Sequence, residues 1–269
     1  MLTDNVLMGR VATVIGGGGG IGVACARALA QAGAKVAIVD RLTEPAASAA
    51  ASFGGHSFVA DVGDEVSLSN ALEQIQQAIG GVDILINAAA VFQAPVPASM
   101  LRMEKWDEVV RVSQRGTYLA CILFGKAMAD RGGGAIVNIA SVAGMRSLPL
   151  HAYGPAKAAV ISLTESLAAE WGPAGVRVNA LSPGFTRTPA VDAAIRNGTD
   201  VEGPILPGTA LGRLVEPEEV AQAALFLASP AASAITGINL PVDCGWLVGT
   251  PWQAYGGLRT PDDHRPRER

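Results

Sequence analysis

The sequence predicts an α/β fold with a parallel β-sheet of about seven strands and helices packed on both of its faces. Short apolar runs alternate along the 269-residue chain with longer segments that repeat apolar residues at helical spacing. A strand that is apolar along its whole length is buried on both faces, which is typical of a parallel sheet between two helix layers. Hydrophobic residues make up 49% of the chain, so a sizeable core is available.

The predicted elements alternate in chain order. The strands are residues 11–15, 35–40, 56–60, 82–87, 135–140, 176–181 and 238–242. The helices are residues 20–31, 65–79, 104–130 and 153–171. In the second helix, for example, apolar residues recur at Leu68, Leu72, Ile75 and Ile79. Strands that are separated by helices in this way favour parallel pairing.

One domain accounts for residues 1–249, because no break in composition divides them. Within it, residues 186–215 contain several Pro and Gly residues and little regular pattern. A long irregular insert in a compact domain is typical of a lid over a ligand site. Residues 250–269 form a tail rich in Pro, Gly and charge, which is either mobile or packed against a neighbouring subunit.

Composition and charge argue against several classes of partner. The formal net charge of -4 argues against binding nucleic acid through its phosphates. No apolar run approaches the length of about 18 residues that a membrane span needs, and residues 1–10 lack the pattern of a signal peptide. The three cysteines are scattered without metal-ligand spacing, which predicts reduced thiols, no metal site and a cytoplasmic protein.

A glycine-rich loop at residues 16–22 lies between the first predicted strand and the first predicted helix. Glycine lets backbone amides approach a phosphate closely, and a helix N-terminus adds free N–H groups and partial positive charge. A flexible surface turn is the alternative, but the position between strand and helix favours a dinucleotide site. The expected phosphate-binding residues are Gly16, Gly20, Ile21 and Gly22.

Asp40, at the end of the second strand, is expected to bind the adenosine ribose. A carboxylate there accepts hydrogen bonds from both ribose hydroxyls and repels a 2′-phosphate, which favours NAD. Arg41 leaves NADP open, because an arginine at this point attracts a 2′-phosphate. Asp61 and Val62 follow the third strand, where an adenine ring would rest, although Asp61 is equally suited to cap the next helix.

Tyr153 and Lys157 share one helix face at i and i+4 and are the predicted catalytic pair. A tyrosine that acts as a base near pH 7 needs a pKa about three units below its usual ~10, or roughly 4 kcal/mol. One positive charge about 4 Å away supplies approximately that in an effective dielectric near 20. Ser141 follows the fifth strand, where its hydroxyl would hold a substrate oxygen. A tyrosine packed on the sheet beside a snorkelling lysine is the alternative.

Taken together, these residues resemble the classical short-chain dehydrogenase/reductase family, over residues 9–246. The further matching motifs are Asn87-Ala-Ala, Ile139-Ala-Ser141, Asn179-Ala-Leu-Ser-Pro183-Gly184 and Thr236-Gly237. The resemblance implies a Rossmann-type doubly wound sheet of order 3-2-1-4-5-6-7 and hydride transfer between an alcohol carbon and a nicotinamide. It implies that Tyr153 is the general acid/base, that Ser141 orients the substrate, and that Lys157 binds the nicotinamide ribose and lowers the Tyr153 pKa.

The resemblance also implies cofactor contacts in the loops after the fourth and sixth strands. These residues are Asn87, Ala89, Pro183, Gly184, Thr186 and Thr188. Thr188 is the candidate partner of the nicotinamide carboxamide. Members of the family are commonly tetramers or dimers, so a homotetramer or homodimer is expected.

The chain departs from the family pattern at four positions. Ile15 stands where threonine is usual, and Ala88 and Ala90 replace an asparagine and a glycine. Ser113 stands in place of the fourth catalytic residue, an asparagine thought to hold a water in a proton relay toward the lysine. Serine is shorter and lacks the amide donors, so proton exchange with solvent is expected to be slower or rerouted.

The leading hypothesis is an NAD-dependent dehydrogenase of a secondary alcohol or polyol, which reduces ketones in the reverse direction. Its substrate is undetermined, although Arg146 and His151 are polar candidates to contact it. One alternative is an NADP-dependent oxoacyl-type ketoreductase, in which Arg41 outweighs Asp40. The other is a cofactor-binding protein with weakened catalysis, which the Ser113 substitution keeps open.

Overall fold

A seven-stranded, all-parallel sheet organises the protein in the computed structural model, which describes residues 5–259. Its strand order is β3-β2-β1-β4-β5-β6-β7, as the resemblance implied. The strands are β1 Val11–Ile15, β2 Lys35–Asp40, β3 His56–Val59, β4 Ile84–Asn87, β5 Gly134–Ile139, β6 Val176–Pro183 and β7 Asn239–Val242. The predicted fold class is therefore confirmed.

Helices cover both faces of the sheet. They are α1 Gly20–Gln31, α2 Thr43–Ala51, α3 Glu65–Ile79, α4 Met103–Val109, α5 Thr117–Ala129, α6 Tyr153–Trp171, α7 Pro189–Arg196, α8 Pro217–Ala228 and α9 Trp246–Gly249. Apolar residues of α1, α2 and α8 form one core with the sheet. Those of α3, α5 and α6 form a second core on the opposite face. The central strands are buried from both sides, which explains their continuous apolar runs.

The sequence pattern missed α2 and α8. Helix α2 is mostly alanine, so it carries no strong apolar periodicity, although alanine has the highest helix propensity. Helix α8 begins with a capping box, in which the Glu216 and Glu219 side chains each accept a hydrogen bond from the other's main chain. Because Pro217 also favours a first helical turn, a start signal for α8 was present in the sequence.

The predicted long helix at 104–130 is helical nearly throughout, but its middle is not α-helical. A π-helical segment, Val110–Gly116, joins α4 to α5. Such segments are rare and occur frequently at functional sites. Here the segment carries Ser113, whose side chain is fully buried.

The segment at 186–215 is more ordered than its composition suggested. It contains α7 and a short 3₁₀ turn at Leu206–Gly208, and Thr186 pairs with Val215 in an isolated parallel bridge. Arg187 joins its parts by forming ion pairs with Asp192, Glu202 and Glu216. Within the predicted tail, Thr250–Tyr255 forms a 3₁₀ helix, and residues 260–269 lie outside the described residues.

The position of β1 in the sheet determines where a ligand can bind. β1 pairs with β2 on one side and with β4 on the other, so the chain leaves β1 and β4 in opposite directions. A crevice opens at such a switch point, beyond the carboxyl ends of the strands. Among residues 5–259, no helix has the length and apolarity needed to cross a bilayer.

Candidate active site

Glycine is required in the loop after β1 because other parts of the backbone approach it closely. Gly16 has a φ of +76°, and a Cβ there would lie 2.5 Å from the Ala89 main-chain nitrogen. A Cβ on Gly22 would lie 2.1 Å from the Gly16 carbonyl oxygen. The loop therefore packs α1 tightly against β1 and leaves a side-chain-free cradle at the helix N-terminus, the geometry suited to a pyrophosphate.

The carboxylate of Asp40 lies over this loop. Its Oδ2 accepts a hydrogen bond from the Gly18 N–H at 3.0 Å, and its Oδ1 accepts one from the Leu42 N–H at 3.2 Å. Two backbone donors thus fix the carboxylate at the edge of the crevice. The neighbouring Arg41 is exposed and lines the same crevice. The two side chains that bear on the choice between NAD and NADP, Asp40 and Arg41, therefore lie in one crevice.

Asp61 is held by an arginine that the sequence analysis did not single out. Arg111 Nη1 donates to both carboxylate oxygens of Asp61, at 3.0 and 2.9 Å, and the Gly63 N–H donates at 2.8 Å. Desolvation acts to raise the Asp61 pKa, but the hydrogen bonds from Gly63 and Arg111 together lower it. The cap of α3 is Asp64, which accepts a hydrogen bond from the Ser67 N–H, so the alternative role for Asp61 is wrong.

These residues enclose a crevice of about 420 Å³. Its lining brings together six of the residues that were expected to bind the cofactor: Gly16, Asp40, Arg41, Asp61, Val62 and Ala89. The side-chain-free loop and the fixed Asp40 carboxylate fit a dinucleotide cofactor. Among residues 5–259, no group of three or more His, Cys, Asp or Glu side chains is arranged to hold a metal ion.

Asn87, in contrast, does not line this crevice. Its side-chain amide donates to Asn138 Oδ1 at 2.8 Å and to the Cys121 sulfur at 3.3 Å, beneath the end of β4. Asn138 in turn donates to the Thr164 hydroxyl at 3.0 Å. The network is buried, so Asn87 fixes the end of β4 rather than presenting its side chain to a ligand.

The three predicted catalytic side chains meet where β5 ends and α6 begins. Ser141 follows β5, and Tyr153 and Lys157 lie one turn apart at the start of α6. The Lys157 side chain is only 1% exposed, and its Nζ lies 5.6 Å from the centroid of the Tyr153 ring. Lys157 Nζ also donates to the Ile139 carbonyl at 2.6 Å. A snorkelling lysine would reach water, so the structural alternative for this pair is wrong.

Burial controls the pKa values of the pair. It raises the pKa of Tyr153 to about 12, and the hydrogen bond with Ser141 acts in the opposite direction. Burial also lowers the pKa of Lys157 to about 8. In the protein alone, desolvation of the phenolate therefore outweighs the effects that stabilise it, and the expectation that Lys157 lowers the Tyr153 pKa stays a prediction.

Ser113 reaches the loop after β4. Its Oγ accepts a hydrogen bond from the Val91 N–H at 3.0 Å and donates to the Val91 carbonyl at 3.4 Å. The carbonyl of Ser113 accepts a hydrogen bond from the Thr117 hydroxyl at 3.0 Å. The Ser113 hydroxyl, which stands in place of the asparagine amide, thus both accepts from and donates to the main chain of Val91.

The loop after β6 lies beside the glycine loop. Pro183 ends β6, and a Cβ on the next residue, Gly184, would lie 2.8 Å from Asp243 Cα. Thr186 is buried and donates its hydroxyl proton to the Gly184 carbonyl at 3.1 Å. Thr188 caps α7, and a Cβ on Gly20 would lie 3.5 Å from its methyl group. Thr188 is therefore placed between the expected phosphate cradle and the expected lid.

Arg146 and His151 lie together along a groove of about 450 Å³ beside the start of α6. Arg146 is exposed and donates to the neighbouring Met145 carbonyl at 2.8 Å, and His151 is partly buried. Three residues of the site were not predicted: Phe92 and Gln93, which contact the start of α6, and Arg111, which binds Asp61 in the crevice. No local pattern marks them, because their partners are distant in the chain.

Comparison with known proteins agrees with this geometry. The family model described as enoyl-(acyl carrier protein) reductase matches residues 16–247. D-Threitol dehydrogenase from Mycolicibacterium smegmatis is 41% identical over 252 residues, which cover 91% of this chain and 95% of that protein.

Two solved structures share the fold. The crystal structure of ribose-5-phosphate isomerase from Brucella melitensis 16M has a TM-score of 0.90 and 53% identity, and covers 94% of this chain and 98% of that chain. A short-chain type dehydrogenase/reductase from Mycobacterium ulcerans has a TM-score of 0.85 and 32% identity, and covers 90% of each chain. This chain therefore belongs to the short-chain dehydrogenase/reductase family, and it is a nicotinamide-dependent oxidoreductase of alcohols and ketones.

Proposed function

We propose that the protein is an NAD-dependent dehydrogenase of secondary alcohols, with polyols as the substrate class, and that it reduces the matching ketones in reverse. The observation that carries this proposal is the grouping of Ser141, Tyr153 and a buried Lys157, in which Tyr153 packs against Val91 of the crevice lining. Burying an ammonium beside a phenol costs free energy, and groups perturbed in this way cluster at functional sites, so this arrangement favours catalysis over a purely structural role.

Each side chain has a distinct role in the proposed reaction. Tyr153 accepts the hydroxyl proton of the alcohol as the C–H hydride leaves, and returns a proton to the oxygen in the reverse direction. Ser141, whose Oγ also accepts the Ala143 N–H at 3.1 Å, holds the substrate oxygen beside Tyr153. Lys157 supplies positive charge beside the Tyr153 ring and would hold the nicotinamide ribose. When bound, oxidised nicotinamide takes the hydride, and its positive charge opposes the effect of burial on Tyr153.

The fixed carboxylate of Asp40 supports NAD rather than NADP. A 2′-phosphate would place like charge beside this carboxylate, which two backbone N–H groups hold in position. Arg41 and Arg111 line the same crevice and favour the second candidate, an NADP-dependent ketoreductase. Arg111 is already paired with Asp61, which reduces the positive charge available to a phosphate.

Similarity to D-threitol dehydrogenase supports a polyol substrate, because threitol presents secondary hydroxyl groups on a short carbon chain. The isomerase activity named for the Brucella melitensis structure needs no nicotinamide. The glycine cradle and Asp40 of this chain are built for a dinucleotide, so we do not extend that activity to it.

A substrate panel tests the proposal. The protein is mixed with NAD and a series of tetritols, pentitols, hexitols and simple secondary alcohols, and the absorbance of reduced nicotinamide is followed. We expect turnover with polyols that Tyr153→Phe abolishes. Turnover only with NADPH and oxoacyl substrates would select the second candidate. NADH binding without any turnover would instead select a cofactor-binding protein, and conversion of ribose 5-phosphate without cofactor would select an isomerase.

We further propose a cytoplasmic homo-oligomer, a homotetramer or a homodimer. Cys25, Cys121 and Cys244 are all unpaired, which fits a reducing compartment. Oligomers are common in this family, and light scattering on the purified protein tests the assembly. A monomer at micromolar concentration would contradict this part of the proposal.

A further inference from the structure

Three consecutive residues after β4, Val91, Phe92 and Gln93, connect the π-helical segment to the start of α6. Val91 is bound through its N–H by the Ser113 hydroxyl at 3.0 Å. The ring of Phe92 meets the ring of Tyr153 edge to face, with centroids 5.4 Å apart and an interplanar angle of 66°. Gln93 Oε1 accepts a hydrogen bond from the Ala152 N–H at 2.9 Å. Each of the three residues thus makes a defined contact with an element of the catalytic site.

Gln93 provides a side-chain hydrogen-bond acceptor at the start of α6. The first N–H groups of a helix have no partner within the helix, and they need a side-chain acceptor when they are buried. The residue before α6 is Ala152, which is fully buried and has no side-chain acceptor of its own. The Gln93 side chain is 1% exposed, and its Nε2 donates to the Ala94 carbonyl at 2.9 Å. Both ends of the amide are therefore fixed by backbone groups.

The contact acts on the residue next to Tyr153 in the chain. Val91 and Tyr153 also pack in the same small apolar cluster as Val109, Ala152 and Ala156. Hydrogen bonds and packing together therefore determine where the first turn of α6 lies relative to the loop after β4. A reacting group that moves by about 1 Å loses on the order of 100-fold in rate.

We propose that Gln93 is a positioning residue, which holds the first turn of α6 so that the Tyr153 hydroxyl points at the substrate oxygen. Residues 91–93 act as a clamp, with Ser113 at one end and Gln93 at the other, and Phe92 supports the Tyr153 ring between them. The catalytic part of this inference rests on the proposed dehydrogenase function.

The test compares two isosteric variants. Gln93→Met removes both hydrogen bonds and keeps the length of the side chain. Asn179→Leu is the matched control, because Asn179 is also 1% exposed, accepts the Ile238 N–H at 3.2 Å and donates to the Ile235 carbonyl at 3.0 Å. We expect Gln93→Met to lower kcat by about 10- to 100-fold. The dissociation constant for NADH should change less than about twofold, and Asn179→Leu should leave kcat within about twofold.

A conservative variant separates positioning from general loss of stability. Gln93→Glu keeps an oxygen that can accept the Ala152 N–H at the positive end of α6. It should therefore have a kcat well above that of Gln93→Met. Three outcomes would overturn the proposal. The first is an equal loss of kcat in Gln93→Glu and Gln93→Met, and the second is a loss of kcat in Asn179→Leu equal to that in Gln93→Met. The third is an unchanged kcat in Gln93→Met.

Hydrogen exchange provides a measurement that does not depend on turnover. In Gln93→Met, amide exchange in a peptide spanning residues 150–157 should increase about 10-fold or more, while the β6 and β7 peptides remain unchanged. In Asn179→Leu the pattern should be the reverse. Unchanged exchange at residues 150–157 overturns the clamp itself. Lack of turnover in the wild-type protein, together with the expected exchange pattern, rejects the dehydrogenase function instead.

Discussion

The Lys157 ammonium donates a hydrogen bond to the main-chain carbonyl of Ile139 at a distance of 2.6 Å. This bond joins the first turns of α6 to the last residue of β5, two residues before Ser141. It also fixes the direction of a charge that is almost completely removed from water. The start of α6 is thereby held on the edge of the sheet. Because burying the ammonium costs free energy, the stability of the protein should depend on the protonation of Lys157.

Lys157→Met should change how stability depends on pH. Because burial lowers the Lys157 pKa from 10.5 to about 8, the folded protein binds fewer protons than the unfolded chain between these values. The lysine contribution to the free energy of unfolding therefore rises with pH in this window. Urea unfolding at pH 7.5 and 9.5 should show the difference, wild type minus Lys157→Met, increasing by about 2 kcal/mol.

The quantity to compare is the difference in free energy of unfolding between the wild-type protein and Lys157→Met, because other groups also titrate in this pH range. Burial raises the pKa values of Cys25 and Cys121 to about 12, which lowers stability above about pH 9 in both proteins and cancels. Lys126→Met is the control, since Lys126 is exposed on α5 and pairs with the exposed Asp130. A pH-independent difference for Lys157→Met would show that Lys157 is not buried as a cation.

Tyr153→Phe should reduce kcat by about 10²- to 10⁴-fold, because in the proposed reaction the phenol exchanges a proton with the substrate. NADH binding, measured by fluorescence titration, should stay within about twofold, since the ring and its contact with Phe92 remain. Tyr118→Phe is the matched control on the exposed side of α5 and should leave kcat unchanged. Retained turnover in Tyr153→Phe would remove Tyr153 from its proposed role.

Asp40→Ser should weaken the preference for NADH over NADPH. Serine keeps a hydrogen-bonding group near the ribose but removes the negative charge that repels a 2′-phosphate. We expect the ratio of the two dissociation constants to fall by about 10-fold, which corresponds to roughly 1.4 kcal/mol. Asp130→Ser removes an exposed charge on another part of the surface and should not change the ratio. Tighter binding of NADPH to the wild-type protein would contradict the role of Asp40.

Ser113→Ala should lower the free energy of unfolding by about 1–2 kcal/mol, because the Val91 N–H loses its partner. It should also lower kcat, since Ser113 holds Val91 at one end of the clamp. Ser113→Asn should leave or raise kcat, as an amide oxygen can accept the same N–H. Ser166→Ala is the control, because it removes an exposed hydroxyl that bonds only to a helix carbonyl. A large loss in Ser113→Asn would mean that the serine itself is required.

Local patterns in the chain predicted most of the fold and the centre of the site. The apolar runs of the strands, the glycine loop and the i, i+4 spacing of Tyr153 and Lys157 are each contained in a few neighbouring residues. The strands at 11–15 and 35–40 and the helices at 20–31, 65–79 and 153–171 match the observed bounds. Helix α2 was missed because alanine forms helices without marking an apolar face.

Contacts between distant residues were decided by the tertiary structure. Gln93 and Ala152 are 59 positions apart, and Asp61 and Arg111 are 50 apart, so no spacing rule connects them. The pKa directions also depend on burial: the pKa of Tyr153 is raised because its phenolate is removed from water, and the spacing of a tyrosine and a lysine in the chain does not show which groups become desolvated. The sequence by itself determined the fold class, and it predicted the proposed cofactor loop and the proposed catalytic side chains. Only the tertiary structure decided how these side chains are held and charged, because desolvation and long-range hydrogen bonds arise when the chain packs.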